Sequence, residues 1–293
     1  MDTSHTYPQP VTACVDGGPC GDRAVDYAIV EARRRHTGLH LLHVMPDLVW
    51  HTSIAPPEAA LDLSETGQRI LDEAAARARE LAPDLTVTPV LAEGRIEDAV
   101  VRETASAGCL VLGTRHHGLG SYGGTTVSRV AAASTVPVVA VPPDWTPSTG
   151  VDRVLVGVDE HGGPDEVLDL AFQEAQSRGA ELVVVHAWAP PTAYGASFAV
   201  VVLLEDFDAH GTDRLQAATE ALREKYPDVR VDYVVENRSP KRVIPKLAGN
   251  HDLVVLGRHR SRVPVLHRLG STAQHTIRSG NAPVLIVPPA ADR

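Results

Sequence analysis

The sequence predicts an α/β protein built from two tandem doubly wound domains, each a five-stranded parallel sheet flanked by helices. Three observations lead to this fold class. One unit occurs twice along the chain, apolar strand-like runs alternate with helical patterns inside each copy, and a segment rich in proline and polar residues separates the copies. The length of 293 residues also fits two domains.

The internal repeat can be followed through four pairs of positions. The pairs are Asp16 with Asp159, His43 with His186, Gly113 with Gly257, and Pro137 with Pro283. Their separations are 143, 143, 144 and 146 positions, which indicates one duplication with a few small insertions. The segment PPDWTPSTGVD at 142–152 has the composition of a linker. We therefore expect one domain over residues 1–143 and a second over 152–293.

The elements of the first copy follow from the spacing of its apolar residues. The run VTACV predicts a short strand, a helical pattern covers about 21–36, and LHLLHV predicts the second strand. In LDLSETGQRILDEAAARARELA apolar residues return every three or four positions, as in a long amphipathic helix. LTVTPVL predicts a strand, IEDAVVRETASA a helix, CLVLG a buried strand, TTVSRVAAAS a helix and VPVVAV the last strand. The second copy repeats this order.

Composition excludes several classes of protein. The net charge of −10 and the lack of a long basic run argue against nucleic-acid partners. No apolar run approaches the 20 residues of a membrane span, and MDTSHTYPQP does not resemble a secretory signal, so we expect a cytoplasmic protein. The three cysteines form no CxxC pair and are predicted to be free thiols.

Two kinds of residue stand where strands end. Asp16 and Asp159 close the first strand of their copies, and Gly113 and Gly257 close the fourth. Carboxyl ends of parallel strands face one crevice, where an acid can accept hydrogen bonds from a ribose or an adenine amino group. Glycines let backbone amides approach phosphates, and the following helix N-terminus favours negative charge. The alternative is that these acids and the hydroxyls after them only cap helices and turns.

Signatures of catalysis and of metal binding are absent from the sequence. There is no GxSxG elbow, no Walker A lysine motif and no GxGxxG after the first strand. The fourteen histidines show no zinc or HExxH spacing. We therefore expect neither an efficient enzyme nor a metalloprotein, with slow ATP hydrolysis as the open alternative.

The order VLVGVD, LVVLG, a loop, GST and PVLIVPP resembles the universal stress protein domain, and the whole chain resembles its tandem form. The resemblance implies the fold known as adenine nucleotide alpha hydrolase-like. It also implies binding of ATP through Gly-x2-Gly-x9-Gly-Ser/Thr after the fourth strand, with Mg²⁺ only as the companion of ATP. Pairing through the last strands of the sheets is implied as well, as an internal pseudo-dimer or as a homodimer.

The two copies keep different parts of this motif. In the second copy the resemblance assigns the nucleoside to Asp159, the base to Ala187 or Trp188, and the phosphates to a set around the loop. That set is Gly257, Gly270, Ser271 and Thr272, and Leu256 and Arg260 are further candidates for the nucleotide site. Arg260 replaces the second glycine, and nine residues separate it from Gly270 as the motif requires. A side chain there either blocks a phosphate or contributes an arginine contact to it.

The first copy departs further from the motif. Its matching residues are Asp16, Val44, Gly113, Gly124 and Thr125. His116 replaces the second glycine, and only seven residues separate it from Gly124. We therefore predict a stress-response module that binds adenine nucleotide, ATP, mainly through its second domain. The alternative is a module that keeps the fold without the nucleotide and acts through protein partners.

Overall fold

The structure is a computed structural model. It describes residues 9–46, 57–115, 126–148, 152–159, 165–189, 198–258, 269–279 and 282–289. The chain divides into two compact units, and the division within the linker falls between Pro147 and Ser148.

The first unit alternates strands and helices in the predicted order. Its elements are β1 (Val11–Cys14), α1 (Pro19–Arg34), β2 (Leu39–Pro46), α2 (Pro57–Leu81), β3 (Val87–Gly94), α3 (Ile96–Glu103), β4 (Cys109–Gly113), α4 (Thr126–Ala133) and β5 (Val138–Val141). The sheet order is β3-β2-β1-β4-β5, and the strands are parallel. The order reverses between β1 and β4, so that the switch point of the sheet lies there.

The second unit repeats this architecture. Its elements are β6 (Arg153–Val158), α5 (Asp165–Arg178), β7 (Glu181–Ala187), α6 (Phe198–Lys225), β8 (Val231–Glu236), α7 (Pro240–Ala248), β9 (Leu253–Gly257), α8 (Ser271–Ser279) and β10 (Val284–Val287). Its parallel sheet has the order β8-β7-β6-β9-β10, which places the switch point between β6 and β9. The predicted fold class, two doubly wound domains in tandem, is confirmed.

The apolar runs of the sequence form the cores. In the first unit Leu39, Leu41 and Leu110 are completely buried, and in the second unit Leu155 and Leu253 are too. Central parallel strands are covered by helices on both faces, which is why they read as continuous apolar runs and not as alternating ones. The apolar run ASFAVVVLL at 196–204 contains the start of α6, at Phe198.

Both first helices end in the same way. The amide of Thr37 donates to the carbonyl of Ala32, and the amide of Ala180 donates to that of Ala175. This six-residue closure requires a left-handed residue just after the helix. The second unit uses Gly179 with a φ of 61°, whereas the first unit uses His36 with a φ of 52°.

Candidate functional site

A cavity lies at the carboxyl edge of the second sheet, at its switch point. Its volume is about 510 Å³, within the range of ligand pockets. Asp159 follows β6 and Gly257 ends the neighbouring β9, so the topology brings them to one edge. All the described residues that the sequence predicted for this site in the second copy line the cavity. They are Asp159, Ala187, Leu256, Gly257, Gly270, Ser271 and Thr272. Arg260 lies outside the described residues.

The predicted base contacts also lie at the cavity. Ala187 ends β7, and both it and Trp188 line the space. Apolar side chains that the sequence analysis did not name complete this wall, namely Val158, Val167 and Ile244. They come from β6, α5 and α7, so only the packing of three elements brings them together. The lining of the cavity therefore includes both an apolar surface and the carboxylate of Asp159.

The beginning of α8 also lines the cavity. The first bond within this helix runs from the amide of Gln274 to the carbonyl of Gly270. The amides of Ser271, Thr272 and Ala273 precede that bond, and in an α-helix such amides have no carbonyl one turn back. All three residues line the cavity. Amides at a helix N-terminus attract anions, and phosphate above all.

Arg258 adds a cation to the same space. It follows Gly257 directly and lines the cavity. Burial lowers the pKa of its guanidinium below the ordinary value. Arginine nevertheless stays charged at neutral pH, so the cavity contains a half-buried positive charge beside the amides of α8. Arg258 could have been predicted as a site residue from the sequence, because it directly follows the glycine that ends β9.

A histidine holds the first strand of each sheet at its carboxyl end. Nδ1 of His43 lies 2.8 Å from the carbonyl oxygen of Val15, and Nδ1 of His186 lies 3.1 Å from that of Val158. A carbonyl oxygen only accepts, so Nδ1 is the protonated nitrogen in both rings. Each bond fixes the residue directly before Asp16 or Asp159. The repeated histidines therefore position the two acids.

The glycines that end the fourth strands have a packing role. A Cβ atom on Gly113 would lie 1.9 Å from the carbonyl oxygen of Cys20, at the start of α1. A Cβ atom on Gly257 would lie 2.8 Å from Cγ2 of Val167, on α5. The first helix of each unit therefore approaches the fourth strand closely: a side chain at residue 113 would overlap backbone, and one at residue 257 would displace the Val167 side chain.

The corresponding edge of the first unit is arranged differently. Arg115 donates from Nη2 to Oδ2 of Asp16 at 2.8 Å, and the amide of Gly18 donates to Oδ1 at 3.1 Å. Partial burial acts to raise the pKa of Asp16, but these hydrogen bonds and the charge of Arg115 outweigh it, so the pKa lies below its ordinary value. The carboxylate of Asp16, which was predicted to contact a nucleoside, is bound instead by Arg115 and the Gly18 amide. Val44 lies on β2, and Gly124 and Thr125 lie outside the described residues.

Comparison with known proteins identifies the family. The sequence model of the universal stress protein family matches residues 8–142 and again residues 150–288. The chain belongs to this family. It is a tandem universal stress protein, because the two matches coincide with the two repeats.

Known universal stress proteins are similar over nearly the whole chain. One from Mycobacterium tuberculosis is 27% identical over 300 residues, which covers 93% of this chain and 92% of the relative. One from Mycolicibacterium smegmatis is 27% identical over 288 residues, with 94% and 95% covered. A solved universal stress protein from Archaeoglobus fulgidus superimposes with a TM-score of 0.71 at 18% identity, covering 98% of each chain. This last likeness shows a shared fold.

The described helices also include none that is long and apolar enough to span a bilayer.

Proposed function

We propose that this tandem universal stress protein binds an adenine nucleotide, ATP, in the cavity of its second unit and acts in the stress response as a binding module. The observation that carries the proposal is the cavity at the switch point, which gathers an acid, an apolar wall and a helix N-terminus. These three surfaces match the three parts of a nucleotide. We also propose a cytoplasmic location.

Each part of the nucleotide has residues suited to it. Asp159 accepts hydrogen bonds from the ribose hydroxyls, and the wall of Ala187, Trp188 and Ile244 covers the base. The amides of Ser271 and Thr272 bind phosphate oxygens. The charge of Arg258 offsets the negative charge of the phosphates, which also makes its burial less costly. Mg²⁺ enters only with ATP, as its companion.

We propose binding without efficient catalysis. Among the described residues, the cavity lining contains one carboxylate, Asp159, and one imidazole, His186, whose Nδ1 contacts Val158. Hydrolysis of a phosphate chain needs a positioned water and groups that stabilise the transition state. The described lining supplies groups for binding and no paired acid and base for that chemistry.

The arrangement of the first unit favours the alternative function predicted from the sequence, a module that binds no nucleotide. Its acid is bound to Arg115 and to the Gly18 amide. We propose that this unit leaves the nucleotide to the second one and serves contacts with protein partners. The stoichiometry of binding is then one nucleotide per chain.

Calorimetric titration of the nucleotide-free full chain with ATP tests the proposal. We expect saturable binding of one ATP per chain, lost in Gly270→Glu and weakened at least tenfold in Asp159→Asn. Asp16→Asn is the matched control, since it changes the equivalent acid of the first unit, and it should leave binding unchanged. Absence of heat at millimolar ATP with an intact fold contradicts the proposal. Loss of binding in Asp16→Asn alone would place the nucleotide in the first unit instead.

A further inference from the structure

The outer side of the helix pair α7 and α8 is basic. Helix α7 has Lys241, Arg242 and Lys246, and helix α8 has His275 and Arg278. All five residues are exposed, and neither helix contains an acidic residue. The two helices pack against each other on one side of the second sheet. We call these five residues the basic face of the second unit.

The spacing of these residues concentrates the basic groups. Arg242 and Lys246 are four positions apart on α7, and His275 and Arg278 are three apart on α8, so the members of each pair lie on one side of their helix. The buried residues of both helices face the sheet. Like charges four positions apart destabilise a helix. Helix α7 therefore carries a repulsion that a bound anionic group would relieve.

The cations of α7 are left without acidic partners. Lys241, Arg242 and Lys246 form no ion pair with any residue that the structure describes. The chain has 37 acidic and 27 basic residues, so acids are abundant enough to pair with exposed cations. Exposed cations elsewhere do pair, as Arg69 does with Glu73 at 2.9 Å. Three unpaired cations on one helix are therefore not explained by the composition of the chain.

The equivalent helix of the first unit is acidic. Helix α3 has three carboxylates, on Glu97, Asp98 and Glu103. The separation of 144 positions that relates the two fourth strands relates these acids to three residues of α7. Those residues are Lys241, Arg242 and Leu247. Every acid of the first helix is thus absent from the second, and two of the three are replaced by cations.

The contact between the paired helices has changed in the same direction. In the first unit Glu97 on α3 pairs with Arg129 on α4 at 2.8 Å. The corresponding residues of the second unit are Lys241 and His275, both exposed. An ion pair that closes on itself in one unit is replaced by two basic side chains in the other. The second unit therefore presents its charge to the solvent.

We propose that the basic face is a docking surface for a short acidic segment of a protein partner, in which aspartate and glutamate carboxylates recur. None of its five residues lines the proposed nucleotide cavity, so the inference is independent of that site. Helix α7 has nine residues and is about 14 Å long. An extended chain covers that length with about four residues. Arginine binds carboxylates through two parallel hydrogen bonds, which suits Arg242 to this role.

The charge of the whole chain favours a short segment over a long polyanion. The net charge is −10, so the surface beyond the basic face is predominantly acidic. Charges act over about 8 Å at physiological ionic strength. A nucleic acid or an anionic membrane extends well past the two helices and meets that acidic surface, which repels it. A segment no longer than the face meets the cations alone.

The test is the affinity of the full chain for a fluorescent peptide of about eight alternating glutamates and aspartates, measured by anisotropy. Arg242→Gln/Lys246→Gln should weaken binding by about tenfold, and added salt should weaken binding to the parent. Arg223→Gln/Arg230→Gln is the matched control. It removes two exposed cations of the same unit and changes the net charge equally, and it should keep the affinity within about twofold. Both variants change only exposed residues and should unfold at the temperature of the parent.

Three outcomes overturn the inference. They are no binding of the peptide to the parent at millimolar concentration, an equal loss in the test variant and the control, and tighter binding of a single-stranded RNA or of phosphatidylglycerol vesicles than of the peptide. The affinity for ATP should be the same in the parent and in Arg242→Gln/Lys246→Gln. Failure of the nucleotide proposal and failure of this one are therefore distinguishable.

Discussion

Arg115 and Asp16 form an ion pair between the loop after β4 and the carboxyl end of β1, with 2.8 Å between Nη2 and Oδ2. These strands are neighbours at the switch point of the first sheet. The pair therefore crosses the place where a doubly wound sheet ordinarily receives its ligand. The side chains of Arg115 and Asp16 are 74% and 46% exposed, so the ion pair contributes little to the stability of the fold. Its main effect is to occupy the carboxylate of Asp16.

Arg115→Gln should raise the pKa of Asp16 and change the stability of the fold little. The guanidinium hydrogen bond and charge hold that pKa below its ordinary value, while the Gly18 amide remains after the substitution. A depressed carboxyl pKa contributes stability above the ordinary pKa near 3.8, and this is lost as the pH falls through the folded value. The free energy of unfolding at pH 7 should fall by less than about 1 kcal/mol. Titration of the Asp16 carboxyl by NMR measures the pKa, and Arg95→Gln is the control.

Gly113→Ala should be more damaging than Gly257→Ala. The new Cβ of residue 113 would overlap the backbone oxygen of Cys20, which moves only if α1 moves. The Cβ of residue 257 meets a methyl group of Val167, which a small rotation of the side chain relieves. Overpacking costs about 1–3 kcal/mol, and we expect about 3 for the first and about 1 for the second. Urea unfolding measures both, and equal losses would contradict the packing role inferred for the two glycines.

His36→Gly should stabilise the protein by about 0.5–1 kcal/mol, and Gly179→His should destabilise it by a similar amount. Both residues adopt positive φ at the end of the first helix of their unit. No atom lies within 4 Å of a Cβ placed on Gly179, so the backbone conformation alone sets the cost there. Thermal unfolding of the pair measures the effect. If both substitutions shift the melting temperature in the same direction, side-chain contacts and not the backbone φ determine the change in stability.

His251→Gln should make the stability of the protein less dependent on pH below about 6.5. Burial lowers the pKa of His251, and the charge of Arg153 adds to this against the opposing effects of the Leu247 carbonyl, Asp252 and Glu181. Below the ordinary pKa of 6.5 the unfolded chain binds a proton that the folded chain does not, so stability falls as the pH decreases.

The substitution removes this effect while glutamine can still donate to the Leu247 carbonyl, which Nδ1 of His251 contacts at 2.6 Å. The slope of unfolding free energy against pH should decrease by at most about 1.4 kcal/mol per pH unit. Denaturant unfolding between pH 7 and pH 5 measures it. His275→Gln, at an exposed position on α8, is the control and should keep the parent slope.

The fold was predictable because strands buried on both faces leave continuous apolar runs in the sequence. CLVLG at 109–113 coincides with β4, and the second strand extends two residues beyond LHLLHV, to Pro46. Ends of helices were less predictable. Helix α1 begins at Pro19, ahead of the predicted start at 21, because proline is favoured in the first turn of a helix.

The site was predictable in part. The ends of strands and the glycine motif indicated Asp159, Gly257 and Gly270, which all line the cavity. The wall formed by Val167 and Ile244 was not predictable from the sequence. These residues are far apart in the chain, and each looks like any apolar residue on the buried face of a helix. The ion pair of Asp16 with Arg115 was not predictable either, because it depends on the register of β1 and β4, which cannot be read from the sequence. Whether nucleotide binds stays a prediction.

The histidine bonds to Val15 and Val158 survived in both halves of the chain while the charges near the crevices diverged. The two halves of the chain therefore share the contact that positions the acid and differ in the charges around it. Mutational scanning of the gene should show this as a pattern of tolerance. Substitutions at His43 and His186 should have comparable fitness costs, whereas substitutions at Asp16 and Asp159 should have unequal ones. The acid whose substitution costs more should identify the unit that binds ligand in the cell.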